Sequence, residues 1–245
     1  NGYWVIFDSK GGDYVAPIFA QDGQTVTLPT TATRSGYTFD GWYQGEQRVE
    51  RVSAEATLEA HWIAAANTKY TVIHWQENAN DDGYSFKESE TKTGKTGEQT
   101  AATAKNYSKE GFTVQAIKQQ TIAGDGSTIV NVYYKRNVYT ITFHVYTCGK
   151  AEHTHGLGCI LGCGQQAHKH TNACRGKDII IKAKHGANIS EKWPTVNGSC
   201  TWSVNEKFTD GPWQTNIDTM PIGVAYFCGP LIASSTVYAY YYVEA

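Results

Sequence analysis

Four sequence landmarks recur in one order three times along the 245 residues, and no other feature constrains the fold as strongly. The first is an aromatic and β-branched run: Tyr3-Trp4-Val5-Ile6-Phe7, Tyr70-Thr71-Val72-Ile73-His74-Trp75, and Tyr139-Thr140-Ile141-Thr142-Phe143-His144-Val145-Tyr146. These openings start 67 and then 69 positions apart. A glycine-led stretch follows at Gly23-Gln24-Thr25-Val26, Gly97-Glu98-Gln99-Thr100 and Gly186-Ala187-Asn188-Ile189. The third landmark is Gly36-Tyr37-Thr38-Phe39, Gly111-Phe112-Thr113-Val114 and, more loosely, Cys200-Thr201-Trp202-Ser203. Alternating strands at 57–62, 128–134 and 236–243 close the three copies.

The repetition predicts a mainly β or α+β chain of three modules, 1–64, 65–137 and 138–245, since one small core usually closes within about 100 to 200 residues. Between the second and third landmarks of the middle copy, Ala101, Ala102, Ala104 and Lys105 predict one short helix within Gln99–Glu110. A sheet gripping a short helix or loop is the simplest closed unit that this order allows. The connections 63–69 and 135–138 are short, so an extended rod with limited hinging is expected, with exposed junctions open to proteases.

Composition excludes several partners. A net charge of -2 offers no broad basic field, which argues against nucleic acid and anionic membrane surfaces. No apolar run approaches the roughly 20 residues that cross a bilayer, so direct membrane insertion is not expected. Asn1–Phe7 reads as a strand instead of a signal peptide, and the chain as a piece of something longer that carries any export signal or anchor. A monomer is expected. No Gly-rich phosphate loop, His-Glu-x-x-His run or Gly-x-Ser-x-Gly elbow is present, and a non-enzyme is the reading. Asn80-Asp81-Asp82-Gly83 reads as a hairpin turn in preference to a Ca2+ loop, His61 and His74 as structural, and His185 as a surface histidine, not the partner of Cys200 in a thiol dyad.

All six Cys lie in the third copy. Cys148-x4-His153-x-His155-x3-Cys159 is repeated 15 positions on as Cys163-x4-His168-x-His170-x3-Cys174, within an insert at 148–174. Two thiolates and two imidazoles per copy match a closed tetrahedral Zn2+ site, so two structural zinc ions are expected, with ligand sharing between copies left open. Disulfides within each copy are the alternative, but they do not explain why four histidines recur in register. Cys200 and Cys228 form an even pair, read as a disulfide closing a loop, with two free buried thiols as the alternative. Trp193, Trp202, Trp213, Tyr226 and Phe227 crowd a stretch that reads as irregular. Trp193, Trp213 and Tyr226 are the ligand-binding candidates among them, against the plainer reading that such rings fill a core.

The residues Phe7-Asp8-Ser9-Lys10-Gly11-Gly12, Pro29, Arg34 and Gly36-Tyr37-Thr38-Phe39-Asp40-Gly41-Trp42-Tyr43 closely resemble the internalin-type B repeat, or Listeria-Bacteroides repeat. Residues 70–134 resemble, with a weaker signature, mucin-binding-protein repeats of Gram-positive surface proteins. These resemblances imply β-grasp-like modules on secreted, wall-anchored bacterial adhesins, hence an extracellular location and a host glycoprotein such as mucin or immunoglobulin as partner. A ligand-free stalk, its insert stapled by disulfides, is the alternative.

Overall fold

A computed structural model of the chain describes residues 1–145, 176–195, 202–203, 213–214 and 217–229, with only the backbone described at 203, 213–214 and 224–229. Almost all regular structure in it is β. The first stretch holds β1 (Gly2–Asp8), β2 (Ile18–Gln21), β3 (Val26–Thr27), β4 (Tyr37–Gln44), β5 (Gln47–Val49), β6 (Arg51–Val52) and β7 (Ala56–Ala64). The second holds β8 (Thr68–Glu77), β9 (Tyr84–Gly94), β10 (Phe112–Val114) and β11 (Ile129–Arg136). The third holds β12 (Val138–Val145), β13 (Ile179–Lys184), β14 (Trp202–Ser203), β15 (Trp213–Gln214) and β16 (Val224–Gly229).

Three sheets result, ordered β2-β1-β7-β4-β5, β10-β11-β8-β9 and β13-β12-β16-β14-β15, with β3 and β6 forming a separate ribbon. Their shared nucleus accounts for the repeated landmarks. In each, the opening strand lies between the next long strand and a closing strand parallel to it: β1 with β7, β8 with β11, β12 with β16. The glycine-led landmark is one tight turn made three times, closed by Gln24 N–H to Gln21 O, Glu98 N–H to Lys95 O and Ala187 N–H to Lys184 O at 3.0, 3.1 and 3.0 Å. Gly23, Gly97 and Gly186 hold its third position at φ of 82°, 82° and 72°, a conformation costly for any residue bearing a Cβ.

The chain divides into two compact units, Asn1–Gln76 with Tyr84–Asn106 and Val114–Tyr134, and Glu77–Gly83 with Tyr107–Thr113 and Lys135–Ala245. In the first, Phe7 and Trp42 join Val5 and Leu58 in a core, where Phe39 stands edge-on between Trp42 and Trp62 at 5.2 and 5.4 Å. Both indoles are satisfied, Trp42 donating to Pro29 O at 3.0 Å and Trp62 to Ser9 O at 2.9 Å. Arg34 lies 3.9 Å over the Tyr37 ring. In the second unit Ile141, Phe143, Ile181, Ile189, Trp202 and Met220 form the core.

Two expectations are corrected, and a third lies beyond the described residues. The middle copy has no α-helix over Gln99–Glu110, only a single 3-10 turn at Ser108–Glu110. Side chains take the backbone hydrogen bonds that a helix would need: Ala101 N–H donates to Tyr70 OH, Ala102 N–H to Gln119 Oε1, and Lys105 N–H to Tyr134 OH, at 3.2, 3.0 and 2.7 Å. Alanine propensity, worth tenths of a kcal/mol per residue, loses to this tertiary pairing. Among the described residues the strand parallel to β12 is β16, and the closing strand expected at 236–243 lies outside them. Tyr226 and Trp213 consequently sit on strands β16 and β15, not on irregular loops.

The junctions are also tied down more than free linkers would be. Ala65 N–H donates to Gly36 O, and Thr96 N–H to Ala65 O, both at 2.9 Å. Residues 135 and 136 belong to β11 and 138 to β12, while Asn137 donates to Gly111 O and accepts from His185 N–H, each at 2.8 Å. Cleavage needs an extended, unpaired backbone. Limited trypsin digestion is expected to spare Lys135 and Arg136; early cleavage there, read by mass spectrometry, would contradict this bonding.

Candidate ligand-binding surface

Strands β8 and β11 alternate as half-buried strands should, with one face inward and one outward, and β9 flanks β8. Tyr70, Val72, His74, Val130, Val132 and Tyr134 point inward and are buried. The outward positions carry rings instead of the charges that ordinarily cover such a face. Phe86 is 59% exposed, Ile129 50% and Tyr133 38%, beside half-buried Ile73, Trp75 and Tyr84.

These rings form an ordered set. Trp75 meets Phe86 edge-on at 6.1 Å, and Tyr84 meets Tyr133 edge-on at 4.9 Å. The register sets Tyr133 opposite Trp75 and Asn131 opposite Ile73. The Trp75 indole donates to Asn131 Oδ1 at 2.8 Å, and Gln115 Nε2 donates to the Tyr84 hydroxyl at 2.9 Å. Flat rings interleaved with amides offer apolar area together with donors and acceptors, a combination suited to a sugar face or a protein hot spot. A contiguous apolar patch left in water marks an interaction surface more often than single exposed rings do.

Beneath it, a polar network fixes the strands. His74 is fully buried, with Nδ1 2.9 Å from the Tyr134 hydroxyl and Nε2 3.5 Å from Glu90 Oε1. Burial pushes the Tyr134 phenol above its ordinary pKa, opposed by the Lys105 N–H that donates to it. Lys105 pairs with Glu88 at 2.6 Å and Lys92 with Glu90 at 3.5 Å. His74 is thus structural, as its strand position implies.

The second unit contains the turn 77–83. Asp81 accepts from Asn78 Nδ2 at 2.8 Å and Gly83 N–H at 2.6 Å, and these bonds hold its carboxyl below the usual range. Lys184 Nζ reaches Asp81 O at 2.8 Å, and Asp82 Oδ1 and Glu77 Oε1 each at 3.1 Å. An ammonium group of the protein itself therefore stands where a cation would be sought. These carboxylates raise the Lys184 pKa, Asp82 first and then Glu77.

The sites anticipated from sequence fare unevenly. Cys148, His153, His155, Cys159, Cys163, His168, His170, Cys174 and Cys200 lie outside the described residues. No group of three or more His, Cys, Asp or Glu able to hold a metal occurs among the described residues. The backbone of Cys228 pairs with His144 on β12 and Ser203 on β14. Trp193 is half-buried and meets Phe143 edge-on at 4.9 Å, so much of its ring serves the core. Trp202, fully buried, donates its indole N–H to Pro194 O at 3.2 Å. The aromatic face of the second sheet was not singled out from sequence, although Ile73, Trp75, Ile129, Asn131 and Tyr133 already alternate with the buried positions.

Residues 3–61 match the Listeria-Bacteroides repeat domain. Two curated relatives come from Evansella cellulosilytica. One, described as "Putative membrane protein", is 34% identical over 90 residues, covering 34% of this chain and 13% of the relative. The other, "Putative Gly-rich membrane protein", is 36% identical over 69 residues, covering 25% of this chain and 8% of the relative. The chain thus spans only about a tenth of the length of these relatives. The Listeria-Bacteroides repeat domain is thus matched over residues 3–61, most of the stretch that forms the first sheet.

Proposed function

We propose that this chain is a segment of a bacterial cell-envelope protein, displayed outside the cell as part of a wall-anchored adhesin, that binds host glycoprotein through the outward aromatic face of the second sheet. The observation that carries this reading is the ordered set Trp75, Phe86, Tyr84 and Tyr133 on an open sheet face. The Listeria-Bacteroides repeat and the names of the relatives support an envelope location. The three nuclei, each with parallel opening and closing strands, are read as β-grasp-like modules, the third carrying zinc in its Cys and His insert and a disulfide between Cys200 and Cys228.

Binding of the full chain to immobilised mucin, to the same mucin stripped of glycans, and to immunoglobulin tests the proposal. Phe86 is exposed enough that Phe86→Ala should leave the fold intact, and a hot-spot ring costs about 2 kcal/mol or more when truncated. Mucin binding weakened at least tenfold by Phe86→Ala and by glycan removal is expected. Immunoglobulin binding that depends on Phe86 would keep the surface and change the partner. Binding indifferent to Phe86 would move the contact elsewhere, and binding to none of the three would favour a ligand-free stalk, a reading that the repeated strand nucleus favours.

A further inference from the structure

The first repeat contains a cavity of about 290 Å³ that the reading above does not use. It opens between the β3–β6 ribbon and the β4–β5 hairpin, and its chemistry comes from Phe39, Asp40, Trp42, Arg48, Glu50 and Arg51. Gly41 forms part of the wall. The pairing of β4 with β7 shifts between Phe39 and Gly41, a bulge at which Gly41 takes φ +151°. A Cβ at Gly41 would come within 2.6 Å of Arg48 Nε, so the missing side chain is what lets the Arg48 side chain lie across the strand.

Arg48 and Arg51 have no hydrogen bond or ion pair from their side chains among the described residues, although Asp40 and Glu50 line the same cavity. Asp40 accepts the Tyr43 hydroxyl on Oδ2 at 2.7 Å. The lining therefore presents two planar cationic forks, two carboxylates and an aromatic wall. A simple anion would use the forks and be repelled by the carboxylates. A neutral sugar would use the carboxylates, strong acceptors for hydroxyl groups, and leave the forks unused. A sugar ring bearing a carboxylate satisfies the whole set, with its acid on a guanidinium fork, its hydroxyls on Asp40 and Glu50, and its C–H face toward Phe39. The volume lies near the lower end for ligand cavities, room for one ring instead of a chain.

We infer that this cavity is a binding site for a single acidic sugar residue, with Arg48 and Arg51 holding its carboxylate. It stands on different residues from the second-sheet surface, and either can fail alone. The test is saturation-transfer NMR and calorimetric titration of the full chain with sodium glucuronate, glucose and acetate, the last two lacking the acid and the ring respectively. Glucuronate is expected to bind in the millimolar range, about −4 kcal/mol, and at least tenfold more tightly than either comparator. Arg48→Gln and Arg51→Gln should each weaken glucuronate about tenfold or more, while Arg48→Lys, which keeps the charge and loses the fork, should recover only part of the loss. Circular dichroism should be unchanged in all three variants, since both side chains are exposed. Equal binding of acetate would reduce the cavity to a plain anion site. Equal binding of glucose, no binding up to about 10 mM glucuronate, or full binding by both Gln variants would overturn the inference.

Discussion

Phe143→Ala is expected to destabilise the third sheet by about 3 to 5 kcal/mol, the range for removing a large ring from a close-packed core. Phe143 is fully buried, and its ring meets those of Trp193 and Trp202 edge-on, each at 4.9 Å. Truncation removes both ring contacts and leaves a cavity walled by Ile141, Ile181 and Met220, residues fixed by the strands on which they sit or by backbone bonds to neighbouring turns. Phe143→Leu, which keeps most of the volume, should cost much less. Urea unfolding followed by tryptophan fluorescence reports the change. A loss below about 1 kcal/mol for the Ala variant would mean that this core is not dry and packed around Phe143.

The proposed zinc sites carry the other large expected effect. The proposal that Cys148, His153, His155 and Cys159 bind one ion, and Cys163, His168, His170 and Cys174 a second, predicts about two zinc per chain in protein purified without added metal. A structural site of this ligand set contributes apparent binding energies of about 10 kcal/mol or more near neutral pH, so chelation should abolish any order that the insert owes to the metal. The pH dependence has a definite sign. Histidine and cysteine bind zinc only when deprotonated, so occupancy is full above the histidine range, near 6.5, and is lost as pH falls through it. Elemental analysis across pH 8 to 5 reads this directly. A metal-free chain whose four cysteines from 148 to 174 are oxidised would replace zinc with disulfides.

Much of the fold was legible because β structure and repetition leave a period-two record. The runs beginning at Tyr3, Tyr70 and Tyr139 became β1, β8 and β12, each beside a parallel closing strand, and the landmark glycines became three copies of one turn. Four particulars were not legible. Ala101 to Lys105 look helical by propensity, but Tyr70, Gln119 and Tyr134, distant in sequence, claim the backbone donors. The strand at Val224–Gly229 is short and bordered by Gly223 and Pro230, turn-type residues that make the stretch read as irregular. The aromatic face of the second sheet escaped notice for a different reason: a ring at an alternating position reads as strand propensity, and only the pairing shows which side of the sheet it occupies. The first-repeat cavity was hidden likewise, because Gly41, Arg48 and Arg51 come together only through the bulge and the β3–β6 ribbon.

The parallel pairing of opening and closing strands has a mechanical consequence. When the two ends of such a nucleus are drawn apart, the first strand is pulled from its beginning and the last from its end. Because they run in the same direction, the load passes along the ladder instead of across it. Val5 to Asp8 against Ala56 to Glu59, and Thr71 to Gln76 against Ile129 to Tyr134, must then slide past one another, with their hydrogen bonds loaded together and not peeled one at a time. Resistance of that kind is kinetic, set by the rate of forced opening and not by equilibrium stability. A nucleus so threaded can hold under tension well beyond what its free energy of folding alone would suggest.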